Sequence, residues 1–117
     1  MPQLSIHIDF EDEGELEPRT IALLEAIDQE GSISAAGRAM KISYKQAWEL
    51  VAEINRTFEA PLVKAQSGGA TGGGAVITER GHELIRHYRT LERKALSATT
   101  AHLKAMQAAA VRESAKA

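Results

Sequence analysis

A chain of 117 residues, with 44% hydrophobic and 26% charged residues and a formal charge of −2, has the size of one soluble domain with a modest core. The absence of cysteine excludes disulfides and thiolate metal sites, and fits a reducing cytoplasm. No apolar run approaches the roughly 20 residues of a membrane span, and the opening MPQLSIHIDFEDE lacks the basic start and apolar block of a secretory signal.

The net charge conceals an asymmetry. Asp9, Glu11, Asp12, Glu13, Glu15 and Glu17 are six of the 16 acids, and no Lys or Arg precedes residue 18. The remaining hundred residues therefore carry 10 acids against 14 bases, a formal +4. Between Arg38 and Lys64 the bases Arg38, Lys41, Lys45, Arg56 and Lys64 face Glu49, Glu53 and Glu59. That bias is compatible with a polyanionic partner without demanding one.

In chain order, Leu4, Ile6, Ile8 and Phe10 alternate with polar residues and predict a half-buried strand over residues 3–10. The acidic run Glu11 to Glu17, containing Gly14, reads as a solvated loop. Pro18 is suited to the first turn of a helix that turns Ile21, Leu23, Leu24 and Ile27 inward and ends at Gly31. A short helix follows, with Ser34 as its expected cap and Ile33, Ala36, Ala39 and Met40 expected on one face. After a break at Lys41-Ile42-Ser43, Ser43 caps a second helix whose inward stripe is Ala47, Val51, Ile54 and Phe58. Two short helices across a tight turn, with small residues at their crossing, form a helix-turn-helix over residues 32–57. The second helix presents Tyr44, Lys45 and Gln46 outward, donors of the kind a DNA recognition helix needs.

Pro61 then precedes a strand, Leu62 to Gln66, and SGGATGGG at residues 67–74 forms a glycine-rich tip before a return strand to Ile77. A phosphate-binding loop of a nucleotide enzyme would end in Gly-Lys-Ser/Thr and lead into a helix; here Ala75-Val76-Ile77 follow, so that reading fails. Thr78 caps a final helix over residues 79–110, along which Leu84, Ile85, Tyr88, Leu91, Ala95 and Ala98 keep three-and-four spacing. A periodic helix of that length exceeds what a small domain covers and predicts a homodimer through Leu84, Ile85, Tyr88, Leu91 and Ala95. The end, AMQAAAVRESAKA, is Ala-rich with little apolar bulk, and its tail, residues 111–117, is expected to fray. The histidines at 7, 82, 87 and 102 lack ligand spacing, and no nucleophilic set stands out, which predicts a non-enzyme without cofactor or metal.

The order is that of a mainly α fold with a small β wing: a winged helix-turn-helix over residues 1–78, with the wing at 62–77, and a long C-terminal dimerisation helix. GSIS, ISYKQAW and TGGGAVIT, within a stretch from about Arg19 to Tyr88, resemble the DNA-binding domain of the ModE family of molybdate-responsive transcription regulators, and more distantly the head of LysR-type regulators. The resemblance implies a homodimeric, cytoplasmic regulator that reads an inverted repeat in double-stranded DNA. The molybdate-binding modules usual in that family would begin near Ala117, so molybdate binding by these residues is not expected.

On this reading Ser43, Tyr44, Lys45 and Gln46 lie in the major groove. Lys45 donates to guanine or phosphate, Gln46 pairs with adenine, and Tyr44 reaches a phosphate or a thymine methyl. Ser32, Ser34 and Lys41 suit the DNA backbone, as do Lys64, Gln66, Ser67, Thr71 and Gly72 of the wing. Trp48 reads as a core wedge. The competing reading is a winged-helix module that docks protein and does not read DNA.

Overall fold

The computed structural model describes residues 2–66 and 73–116, with side chains described as far as Ala110. Eight elements follow one another: β1 (Ile8–Asp9), β2 (Glu15–Leu16), α1 (Pro18–Glu30), α2 (Ile33–Ala39), α3 (Tyr44–Thr57), β3 (Val63–Gln66), β4 (Gly74–Ile77) and α4 (Glu79–Lys116), with a 3-10 turn at Glu11–Glu13. The core joins Ile21, Leu23, Leu24 and Ile27 of α1 to Ala36, Ala47, Val51 and Ile54 of α2 and α3. Leu62, Val63, Ala75 and Ile77 close it from the β3–β4 hairpin, and Tyr88 closes it from α4.

The N-terminal alternation survives in burial, because Leu4, Ile6, Ile8 and Phe10 are half-buried while Ser5, His7 and Asp9 are exposed. The strand expected over 3–10 is nevertheless only Ile8–Asp9. Its partner comes from the acidic run expected as a loop: Ile8 pairs with Leu16 and Asp9 with Glu15, antiparallel. The run turns back at Gly14, whose φ of 128° lies outside the range of ordinary side chains. Leu16, placed by that turn, is fully buried.

Pro18 occupies the first turn of α1, where no backbone N–H is needed, and Gly31 ends it at φ 84° with its amide donating to the Ile27 carbonyl. The Gly31 carbonyl in turn accepts from the Ala75 amide at 2.9 Å, so the end of α1 is stitched to the wing. α2 is capped by Ser32, whose hydroxyl accepts from the Ala35 amide at 3.0 Å, and not by Ser34, which accepts from Arg38 Nη1 at 2.8 Å. Its inward face is Ile33, Ala36, Gly37 and Met40; Ala39 is exposed. Gly37 sits where α2 crosses α3, and a Cβ there would be 3.4 Å from that of Ala47.

β3 and β4 pair antiparallel from Val63–Ile77 to Gln66–Gly74. Asn55 of α3 anchors this hairpin. Its Oδ1 accepts from the amides of Leu62 (2.8 Å) and Val63 (3.2 Å), and its Nδ2 donates to the Val63 carbonyl at 3.1 Å. Thr78 caps α4 by accepting from the Gly81 amide at 3.1 Å, and its own hydroxyl donates to the Pro61 carbonyl at 2.8 Å.

α4 continues to Lys116, past the Ala110 boundary at which fraying was expected. The stretch leading up to that boundary, Ala105 to Ala110, holds four alanines, which lack apolar bulk but have the highest helix propensity. At about 1.5 Å per residue, the 38 residues of α4 span roughly 57 Å, and the molecule measures 58 × 29 × 23 Å.

Candidate DNA interface

The exposed surface of α3 begins with its cap. The Ser43 hydroxyl accepts from the Gln46 amide at 3.0 Å, and Gln46 Oε1 accepts in return from the Ser43 amide at 3.1 Å, a reciprocal capping box. This fixes the start of the helix but occupies the Gln46 carbonyl oxygen. Bidentate pairing of Gln46 with adenine needs that oxygen as an acceptor, so in this conformation the side chain has only its amide donors to offer a base.

Tyr44 and Lys45 project freely. Tyr44 is 57% exposed, and the Lys45 ammonium lies 4.0 Å from Glu49, one turn on, with both side chains largely in solvent. A pair so exposed contributes at most a few tenths of a kcal/mol, so Lys45 stays available for exchange onto a phosphate. Lys41, at φ 60° in the turn, and Lys64 and Gln66 on the wing are exposed. Ser32 is committed to its cap and Ser34 to Arg38. Ser67, Thr71 and Gly72 lie outside the described residues.

Trp48 overturns its assignment to the core: it is 48% exposed. Ala47, Val51 and Ile54 hold the buried face of α3, and at about 100° per residue Trp48 falls a quarter turn away from Ala47. There it shares a flank with Tyr44, beside the wing. Between that flank and the wing runs a groove of about 460 Å³, walled by Tyr44, Trp48 and Ala52 on one side and by Ala65, Gly74 and Ala75 on the other. Glu49 and the Trp48 ring are the features of this face that a reading of donors alone overlooks.

The long helix corrects a second aromatic. Tyr88, expected at a dimer seam, is 1% exposed, and its hydroxyl donates to the Ile6 carbonyl at 2.7 Å. Burial pushes its pKa up, aided by the charge of Glu92 and opposed by the bond to Ile6 and by Arg89. Leu84 and Ile85 likewise pack on the domain's own core. The neighbouring Arg89 grips Glu25 of α1 through Nε and Nη2 and Glu92 through Nη1. Hydrogen bonds first to Glu25 and then to Glu92 hold its guanidinium well above its usual range. Leu91 and Met106 remain exposed, Ala95 and Leu96 half-buried.

A capped helix with an exposed N-terminal face, crossed behind by a second short helix and flanked by a β hairpin, defines a winged helix-turn-helix. The model of the bacterial regulatory helix-turn-helix proteins of the lysR family matches residues 18–82, more than half of the chain, and the chain belongs to that family. It is 50% identical over 72 residues to the molybdenum-pterin-binding protein MopA of Rhodobacter capsulatus, covering 62% of this chain and 27% of that protein. To the DNA-binding transcriptional dual regulator ModE of Escherichia coli K12 it is 45% identical over 75 residues, covering 64% and 29%. To the molybdenum transport protein ModE of Azotobacter vinelandii it is 43% identical over 72 residues, covering 62% and 27%. The chain thus matches less than a third of the length of each of these relatives.

Solved structures share the fold. A LysR family transcriptional regulator superposes with a TM-score of 0.55 at 16% identity, covering 74% of this chain and 28% of that one. The Staphylococcus aureus MepR–DNA complex superposes with a TM-score of 0.52 at 17% identity, covering 87% and 80%. Among the described residues no helix is long and apolar enough to cross a membrane, and no group of three His, Asp or Glu side chains is placed to hold a metal.

Proposed function

We propose that this chain is a transcription regulator that binds duplex DNA as a homodimer in the cytoplasm and governs genes of molybdenum handling. The observation that carries the reading is the face of α3: a capped N-terminus presenting Tyr44 and Lys45 beside an exposed wing, in a helix-turn-helix of a regulator family. α3 enters the major groove, with Lys45 on a phosphate or a guanine and Tyr44 against the backbone or a base edge. Lys41, Lys64 and Gln66 meet the backbone, and Ser32 and Ser34 support α2 behind it. Gln46 first holds the helix start and only then contacts DNA. The link to molybdenum comes from two of the relatives, a molybdenum-pterin-binding protein and a molybdenum transport protein, and extends to this chain as part of the proposal. A module that only docks protein is not favoured by the family match.

The homodimer is inferred from α4, because an exposed apolar side chain such as Met106 on a helix that outruns its domain needs a cover. The seam lies further along than the spacing alone predicts, on Leu91, Ala95, Leu96, Leu103 and Met106, since Tyr88 is spent inside its own domain. A two-fold dimer reads two half-sites, so the target is an inverted repeat with centres whole helical turns apart.

Selection from a random duplex library tests the reading, with sedimentation of the protein as the companion measurement. An inverted repeat, salt-dependent binding and a dimer at micromolar concentration are expected. Lys45→Ala should weaken binding and lower the salt slope by about one. A monomer would remove the dimer, and binding of no duplex would remove the regulator.

A further inference from the structure

We propose that Trp48 is a specificity-determining residue that receives a thymine 5-methyl group at one position of each half-site. The inference rests on the reading of α3 as the recognition helix and adds to it a residue outside the polar set Tyr44, Lys45 and Gln46. Three observations meet at this side chain. Trp48 is half exposed on a helix whose core is already filled by Ala47, Val51 and Ile54, so packing does not account for an indole at this position. Tyr44 stands one turn before it, itself 57% exposed, and the two rings make one apolar wall that continues from the helix N-terminus. The wall faces a groove of about 460 Å³ whose opposite side is Ala65, Gly74 and Ala75 of the wing.

The position of the groove and its chemistry point to DNA as its occupant. When a recognition helix lies in the major groove and a wing reaches toward the neighbouring groove, the strand dividing the two must pass between helix and wing. Among the described residues no carboxylate lines the groove, in a chain with 16 acids, so none of them repels a phosphodiester strand. Its walls are mainly apolar, and of its polar side chains Ser34 is bonded to Arg38 and Asn55 to the β3 backbone, so the surface suits sugar faces and methyl groups. Of the four bases, only thymine presents an apolar group in the major groove. An indole beside a tyrosine ring at this edge therefore discriminates thymine from cytosine by burying the methyl.

Trp48 is the single tryptophan of the chain, which makes its emission a site-specific probe. The experiment uses the full chain and the duplex selected above, with each thymine replaced in turn by deoxyuridine, which lacks only the methyl. At one position per half-site the replacement should weaken wild-type binding about fourfold, the fold-change corresponding to the ~0.8 kcal/mol of one buried methylene-sized group. Trp48→Ala should bind the thymine duplex more weakly and lose that discrimination, so that the two changes are coupled in a double-mutant cycle. Wild-type emission should change on binding the thymine duplex and change less on the deoxyuridine duplex, a readout that needs no variant. If the wild type binds with its emission unaltered, or Trp48→Ala keeps the full methyl effect, the proposal is overturned while the regulator reading stands. If the wild type binds no duplex, the regulator reading itself fails.

Discussion

α3 and α4 expose apolar surface for different reasons. α3 is held at both ends, by the Ser43–Gln46 box at its start and by Asn55 gripping β3 near its finish, and between them Ala47, Val51 and Ile54 are buried. Its exposed rings, Tyr44 and Trp48, thus stand on a rigid mount within one helical turn of each other. Among the described residues α4 is clamped along its first half, through Thr78, Tyr88 and Arg89, and from Ala105 to Ala110 every side chain is exposed. Exposed apolar groups on a fixed element are placed to receive a shaped partner. On a helix that runs past its domain they are the surface that the proposed homodimer would cover.

The difference can be broken most severely from the core side of α3. Ile54→Ala removes a fully buried side chain and should cost about 3 kcal/mol, read as a fall in the urea midpoint, whereas Trp48→Ala should not approach that. The root of α4 is nearly as sensitive. A Cβ at Gly81 would lie 2.6 Å from both the Leu62 carbonyl oxygen and Ile77 Cγ2, so Gly81→Ala should destabilise by about 2–3 kcal/mol. Thermal melting that leaves Gly81→Ala at the wild-type midpoint would show that α4 is not seated on β3 and β4 as described.

A smaller effect separates the clamped half of α4 from its projecting half. Tyr88→Phe deletes the bond to the Ile6 carbonyl and should cost about 1 kcal/mol. Because the folded pKa of Tyr88 is raised, its protonated form is favoured by folding. That contribution is complete below the unfolded value near 10 and is lost as pH rises through the folded value. Wild-type stability should therefore fall faster than that of Tyr88→Phe above pH 10, measured by denaturant titration at stepped pH. The smallest change is expected at Trp48, where replacement by alanine should shift stability by no more than about 0.5 kcal/mol, because the ring is half in solvent. A larger loss would return Trp48 to the core.

The boundaries of α1, the cap at Ser43 and the cap at Thr78 were legible in the sequence, because each depends on chemistry within a few residues: a proline without an N–H, a glycine free to take φ 84°, a hydroxyl three residues from an orphan amide. The buried stripe of α3 was equally legible from its period. The cap of α2 was misplaced by two residues, since Ser32 and Ser34 both precede helical positions and only the realised turn chooses between them. Asn55 gave no local signal, as its partners Leu62 and Val63 lie beyond the end of the helix.

The two aromatic reversals mark the boundary between sequence and tertiary structure for this protein. Periodicity determines the angle of a side chain around its helix, and it placed Tyr88 and Leu91 on one side of α4 and Trp48 at the edge of the α3 stripe. It carries no information about what comes to cover that angle. The extended segment around Ile6, arriving from the other end of the chain, covers Tyr88 and leaves Leu91 open. The described strands of the wing face Trp48 across a groove where the core was expected. Helix phase is a local property set by backbone geometry; burial is decided by contacts between residues as far apart as 82 positions, which only the assembled fold brings together.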